Sequence, residues 1–451
     1  MLSKGLLDAG SIVSAIDEAL DGTVIVTGAL PPGGRDLDLL VSDEQARRLA
    51  EILAARRFLP RGRNVAPRRR ASQQWVRIEG SSALAVDLNP MSRWQLPRPE
   101  QEALAAEAVP IAGFQHLARP SAHHVILILA RRLAAGTLSA RRLEKLRSAV
   151  EQDPEAWQWA GQRASAWGVA ATLPVLRRLY EGGAWPTRSE RARAVLEVTR
   201  SAGLAGTVSK TARRLSAAAP ARPQVVGFSG LDGSGKSSQV RALLSTLEQL
   251  DVAVVVHWKP LGHNASIRTV RRVVKRTYAA MRGWDAEQLD RSKQPGRSLV
   301  AGTSPALLGG KQNRLVTHAW ATLVCLVSAG HYRMVALRYS GSGRLIVFDR
   351  FALDTTAQLR FFYGPEHDFG LQRALIQTIC PTPIAAWLLE VPGEVALARK
   401  QEQYNLAQLK EQEGLLHEEA ERLGVTRLDG TRPMAELSEY IATEVWERMK
   451  R

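Results

Sequence analysis

Apolar residues in the second half of the chain come in short, dense runs. Gln224–Phe228, Val252–Val256, Leu345–Phe348, Ala385–Leu389 and Val425–Leu428 are too brief for helices and too continuous for strands with one wet face. Between them, stretches such as Ser238–Leu244 and Ala435–Lys450 repeat apolar residues at helical spacing. Buried strands alternating with amphipathic helices predict an α/β unit, a mostly parallel sheet covered on both faces, with ligands at the carboxyl ends of its strands.

The first half follows a different pattern. Thr23–Thr27, Leu37–Val41, Gln74–Glu79 and Ala83–Leu88 look like strands, while Asp43–Arg57 carries leucine and alanine at helical spacing. From Pro120 to Leu204 the pattern is wholly helical, through Val125–Leu129, Leu143–Val150, Ala166–Tyr180 and Ala192–Thr199. The Ala/Pro-rich stretch Ser216–Pro223 marks the clearest boundary. The expected order is an α+β module over 1–117, a helical subdomain over 118–205, a linker over 206–222 and the α/β unit over 223–451. No internal repeat is visible.

Composition narrows this picture. A chain of 451 residues exceeds what one core supports. Two cysteines, Cys325 and Cys380, both in apolar stretches, are neither a disulfide framework nor a metal-ligand cluster and fit a reducing cytosol. Asp8, Asp17 and Glu18 interrupt the first apolar turns, so no signal peptide is expected there. No uninterrupted apolar run approaches membrane-spanning length, since His331 and Arg333 break Leu323–Leu337. The expectation is a soluble cytoplasmic protein without a membrane partner. The net charge of +17 is arginine dispersed over helical faces, with one tight cluster at Arg68-Arg69-Arg70. Specific nucleic-acid binding is not expected from it.

The chemistry begins at Gly230-Leu231-Asp232-Gly233-Ser234-Gly235-Lys236-Ser237-Ser238. A strand precedes it and a helix follows. Strand, glycine-rich turn, Lys-Ser and helix is the order in which consecutive backbone N–H groups wrap a phosphate, aided by the positive end of the helix dipole. In such a loop the lysine bridges the β- and γ-phosphates and the serine hydroxyl reaches Mg²⁺. Gly230, Asp232, Gly233, Ser234, Gly235, Lys236, Ser237 and Ser238 are therefore the expected ATP contacts. Strand Leu345–Phe348 runs into Asp349-Arg350-Phe351, which delivers an acid and a base to the same crevice. Arg399-Lys400 follows the next strand and helix, and Leu428-Asp429-Gly430 closes the last strand.

The order of these blocks resembles the thymidylate kinase family of P-loop nucleotide kinases. The likeness covers Pro223 to Arg451 and is carried by the loop with its trailing Gln239, by Phe348-Asp349-Arg350-Phe351, and by Leu389 to Arg399. The resemblance implies that Asp349 helps hold Mg²⁺, that Arg350 binds the phosphoryl groups in transfer, and that Arg399 belongs to a flap over ATP. Lys236, Asp349, Arg350 and Arg399 are then the catalytic set. Three features depart from the family, one of them the flap segment Gln401–Glu413, which is acidic or neutral apart from Lys410 and lacks the arginine cluster some members carry. The acceptor-side turn reads His257-Trp258-Lys259-Pro260-Leu261-Gly262-His263, with Lys259 where the family has an acid. The stretch from Ile267 to Leu315 is long, basic and glycine-rich. Thymidylate as acceptor does not follow from the likeness.

In the N-terminal half, Asp36-Leu37-Asp38 puts two carboxylates on one face of a strand. Asp87, at the end of Leu84-Ala85-Val86, is a candidate third ligand from a neighbouring strand. Hard oxygen donors in this pattern suit Mg²⁺ or Mn²⁺, and the metal set of the chain would be Ser237 and Asp349 in one half, Asp36, Asp38 and Asp87 in the other. Gly28 and the run Gly33-Gly34-Arg35-Asp36-Leu37-Asp38 resemble the polymerase-β-like nucleotidyltransferase superfamily over residues 1–205. The implied architecture is an α+β nucleotidyltransferase-like module with an all-helical appendage.

The leading expectation is a phosphotransferase that takes ATP and Mg²⁺ and acts on a nucleoside monophosphate or another small phosphorylated acceptor. Two alternatives stand beside it: an ATP-binding regulatory protein without kinase activity, and nucleotidyl transfer by the N-terminal half. Homodimer formation is left open.

Overall fold

The computed structural model describes residues 8–31, 36–60, 74–94, 96–136, 138, 140–187, 189–190, 192–193, 196, 223–258, 314–363, 368–400 and 404–449. The linker over 206–222, the Arg68-Arg69-Arg70 cluster, Gly33-Gly34-Arg35, Lys259 to His263 and nearly all of Ile267–Leu315 lie outside them, as does most of Ala192–Thr199. The chain is mixed α/β and divides into two compact units, Met1–Arg77 with Ala83–Ala219 and Ile78–Ser82 with Pro220–Arg451.

The first unit is built on a mixed seven-stranded sheet of order β3-β4-β5-β2-β1-β7-β6. Its strands are β1 (Val24–Val26), β2 (Asp36–Val41), β3 (Leu59–Pro60), β4 (Gln74–Glu79), β5 (Ser82–Pro90), β6 (Val109–Pro110) and β7 (Leu117–Arg119). β2 pairs antiparallel with β1 and parallel with β5. Helices α1 (Ala9–Asp17), α2 (Asp43–Ala55) and α3 (Arg98–Ala106) accompany the sheet. α2 starts at a capping box in which the Ser42 hydroxyl accepts from the Gln45 backbone and the Gln45 side chain accepts from the Ser42 backbone. Four helices follow: α4 (Ala122–Ala134), α5 (Ala140–Gln152), α6 (Ala156–Arg163) and α7 (Leu173–Tyr180). They close around Leu127, Leu146, Ala160, Trp167 and Leu176, which are buried together. The helix expected over Ala166–Tyr180 begins only at Leu173. Gly168 at φ 62° and Pro174 in the first turn of α7 break the run.

The second unit holds an all-parallel five-stranded sheet of order β12-β11-β8-β10-β9. The strands are β8 (Gln224–Gly230), β9 (Val254–Trp258), β10 (Leu345–Asp349), β11 (Ala385–Glu390) and β12 (Thr426–Asp429). Each sits within two residues of the apolar run that predicts it. α8 (Lys236–Gln249) and α14 (Met434–Arg448) cover one face, where Trp387 donates its indole N–H to Glu444 at 2.9 Å. α9 (Arg314–Arg338), α10 (Ala352–Tyr363) and α11 (Gly370–Ile379) bury the other face around Ile346, Phe348 and Phe351. α12 (Gly393–Arg399) and α13 (Leu406–Leu423) precede β12.

Within α9, Thr317–Arg338 is long and apolar enough, by length and composition, to cross a bilayer. His331 and Arg333 do not lower its average enough to prevent this. Its apolar side is nonetheless spent on the sheet, with Ala321, Val324, Cys325, Ala329, Tyr332, Val335 and Ala336 buried in the core. That is compatible with the core helix of a soluble protein.

Candidate functional site

The glycine-rich turn joins β8, the central strand, to α8. Three of its glycines have positive φ: Gly230 at 147°, Gly233 at 89° and Gly235 at 93°. Side chains would not fit at the first two. A Cβ on Gly230 would meet the Leu389 carbonyl oxygen at 2.7 Å, and one on Gly233 the Ala396 oxygen at 2.5 Å. Gly235 has open space at its Cβ position and is there for conformation, as the left-handed residue that starts α8.

Lys236 is buried, and its ammonium donates to the Gly230 carbonyl at 2.8 Å and the Leu231 carbonyl at 2.6 Å. Burial, reinforced by the Arg350 charge, pulls its pKa down to about 8. Ser237 donates its hydroxyl to Asp349 Oδ2 at 2.8 Å. The other oxygen of that carboxylate, Oδ1, is buried without a hydrogen-bond partner among the described residues. An unsatisfied buried carboxylate oxygen is costly, and a hydroxyl beside a carboxylate is a donor set that suits Mg²⁺.

Arg350 has φ 80°, rare for a residue with a side chain, and its backbone N–H bonds the Phe228 carbonyl at 2.9 Å. Its guanidinium pairs with Asp232 of the loop and lies 3.6 Å from Asp354 Oδ1. Asp354 is a site residue the sequence reading missed. It is buried, accepts the Phe351 N–H at 3.1 Å and the Ser229 hydroxyl, and its pKa is pushed up by burial against the pull of Arg350 and Lys236. Tyr404 was missed as well. Its half-buried hydroxyl, raised by burial, lies in the field of Asp232 and Arg350. Asp354 lies in the first turn of α10, four residues after Arg350, where a carboxylate by itself reads as a helix cap; Tyr404 carried no signal.

Arg399 ends α12 and donates to the Gly430 carbonyl at 3.3 Å. Gly430 in turn donates its N–H to the Glu390 carbonyl at 2.7 Å, and a Cβ there would lie 3.3 Å from the Ser234 carbonyl oxygen. The end of β12 therefore abuts the loop. Ser238 opens α8, its N–H accepted by the Gly235 carbonyl at 3.0 Å. Gln239 faces away from the crevice, accepting the Ser438 hydroxyl at 2.9 Å and so tying α8 to α14. His257 and Trp258 end β9, with Trp258 the register partner of Asp349.

In the first unit, β2 and β5 bring the expected acids together. Asp38 is the register partner of Asp87, and one oxygen each of Asp36, Asp38 and Asp87 lie within 4.8 Å of one another. A Cβ on Gly28 would touch Asp38 Oδ2 at 3.4 Å, so the glycine turn does lie against the acids. The Arg132 guanidinium, pulled down by burial, feels all three carboxylates.

No protein-family model matches this chain, and no curated protein matches its sequence.

Proposed function

We propose that the second unit is an ATP-dependent phosphotransferase of thymidylate-kinase-like type, acting on a nucleoside monophosphate or a related phosphorylated acceptor. The observation that carries this reading is the Ser237–Asp349 pair at the mouth of the glycine-rich loop, with Asp349 Oδ1 left over. Loop, hydroxyl and carboxylate are the parts that bind a metal-complexed triphosphate.

Ser237 and Asp349 would hold Mg²⁺, which when bound neutralises charge on the phosphate oxygens. The chain's own groups do the rest. The loop N–H groups grip the β-phosphate, and Lys236 exchanges its two carbonyls for phosphate oxygens. Arg350 leaves Asp232 for the phosphoryl group as an acceptor oxygen bonds to the γ-phosphorus and the bond to the bridging oxygen breaks, releasing ADP. Alignment and charge neutralisation supply most of the acceleration in such a reaction. Asp354, buried behind Arg350, keeps the guanidinium in reach throughout. A cytoplasmic location belongs to this reading, supported by the two buried free thiols Cys325 and Cys380. Incubating the chain with Mg-ATP and a panel of nucleoside monophosphates tests it: ADP formed only with a particular acceptor is the expected result. ATP binding with no acceptor from the panel or beyond it would favour a regulatory ATP-binding role.

A second reading, nucleotidyl transfer by the first unit, is favoured by one observation, the convergence of Asp36, Asp38 and Asp87. Three carboxylates on adjacent strands suit a divalent ion at an α-phosphate. Transfer of label from α-phosphate-labelled nucleotide tests it.

A further inference from the structure

A different cluster lies in the first unit, where the end of α3 meets the start of α4. Glu107 follows α3, and His123 and His124 occupy the first turn of α4. Glu107 Oε2 is 2.8 Å from His123 Nε2 and 3.9 Å from His124 Nδ1. Ser121 Oγ is 2.7 Å from His124 Nδ1 and 3.5 Å from His123 Nε2. We propose that Glu107, His123 and His124 form a transition-metal site of the Zn²⁺ class, with a fourth position beside the Ser121 hydroxyl for a solvent molecule.

The argument is geometric first. Ligand bonds of about 2.0–2.1 Å in a tetrahedron put neighbouring ligand atoms roughly 3.3 Å apart. The four separations above fall on both sides of that value, so modest side-chain rotation closes the set. Two imidazole nitrogens and one carboxylate oxygen are a borderline-soft donor set that favours Zn²⁺ over Mg²⁺ or Ca²⁺. The two histidines sit in the first turn of α4 and Glu107 caps the end of α3. Glu107 is also oriented from behind: Arg163 holds its other oxygen, Oε1, at 2.6 Å and leaves Oε2 turned to the imidazoles.

Arg163 also competes. Its Nη1 lies 3.2 Å from His124 Nε2. A guanidinium can only donate, so the ring proton sits on Nδ1, toward Ser121. A metal at Nδ1 sends that proton to Nε2, and Nη1 must then turn to Glu100 Oε2, now 3.8 Å away. Glu100 is fixed for this by the Trp167 indole N–H at 2.8 Å.

The test uses the full chain, stripped with a chelator and titrated with Zn²⁺ by calorimetry, then with Co²⁺ as a spectroscopic stand-in. The expected result is one tight ion per chain with the intense visible absorption of four-coordinate Co²⁺. His123→Gln and Glu107→Gln should each weaken binding at least about 10-fold, with circular dichroism checking that each variant folds. Asp36→Asn with Asp38→Asn should leave the same spectrum intact. Absence of binding, a six-coordinate Co²⁺ spectrum, unchanged affinity in both cluster variants, or loss of the signal in the Asp36/Asp38 variant would each overturn the proposal.

Discussion

Ser237 donates its hydroxyl to Asp349 across the crevice between α8 and the end of β10, and Asp349 keeps a second, buried oxygen without a partner. If that pair is a metal seat, nucleotide binding depends on it twice over. Asp349→Asn should cut affinity for Mg-ATP at least about 10-fold while changing affinity for metal-free ATP little. Calorimetry with and without magnesium checks this. Equal losses under both conditions would mean that Asp349 serves only the fold.

Lys236 gives a pH signature. Its pKa in the folded protein, about 8, lies below the usual lysine value, so the unfolded chain binds the extra proton between the two. The cost of burying this ammonium is fully present below about pH 8 and fades as pH rises toward 10.5. Phosphate binding needs the ammonium, so ATP affinity should fall above about pH 8. Binding at that pH should draw in a proton, visible as a buffer-dependent heat. Lys236→Ala should abolish ATP-dependent phosphorylation and the buffer dependence together, with the fold intact.

The loop glycines separate shape from space. Gly233→Ala meets the Ala396 carbonyl and a forbidden φ together, so it should displace the turn and abolish ATP binding. Gly235→Ala meets only the φ penalty, about 1–2 kcal/mol, and should bind ATP more weakly without losing it. Parallel titrations of the two variants decide. Equal behaviour would contradict the clash.

Glu419 is fully buried on α13, where it accepts Arg373 at 2.9 Å from two nitrogens, Arg422 at 3.2 Å and Arg360 at 3.3 Å. Removing the carboxylate leaves the mostly buried Arg360 and Arg373 with only the exposed carboxylates of Glu418 and Asp368 as partners. Glu419→Gln should destabilise the second unit by about 3–5 kcal/mol, measured by urea unfolding. A loss under 1 kcal/mol would show that water reaches the arginines.

For the first unit, Asp36→Asn with Asp38→Asn should erase transfer of an α-phosphate label. Persistence of labelling in that variant would leave the acids a structural role beside Arg132.

The parts legible in the sequence share one property: they depend on neighbours in the chain. Runs such as Leu345–Phe348 are buried on both sides and announce a strand locally, and the Gly-Lys-Ser spacing encodes its own turn. Asp36 and Asp38 were legible for the same reason, being two apart on one strand. Asp87 could be guessed from a strand end, but its register with Asp38 is a property of the sheet. Asp354 was hidden because a carboxylate in a first helical turn normally reads as a cap or a dipole partner. His123 and His124 were hidden because Glu107 and Arg163, which give them meaning, arrive from the end of α3 and from α6.

The strand order β12-β11-β8-β10-β9 carries a consequence for biosynthesis. β8 is translated first of the five yet stands in the middle, where Val225 pairs with Ile346 and Val226 with Ala385. As the ribosome emits the glycine-rich loop, neither lateral partner exists, so the loop's strand has no neighbour until β10 has emerged and only one until β11 follows. High contact order of this kind slows folding and exposes apolar edges meanwhile. The most recognisable segment of the polypeptide thus waits, for both its neighbours, on strands that come far later in the chain.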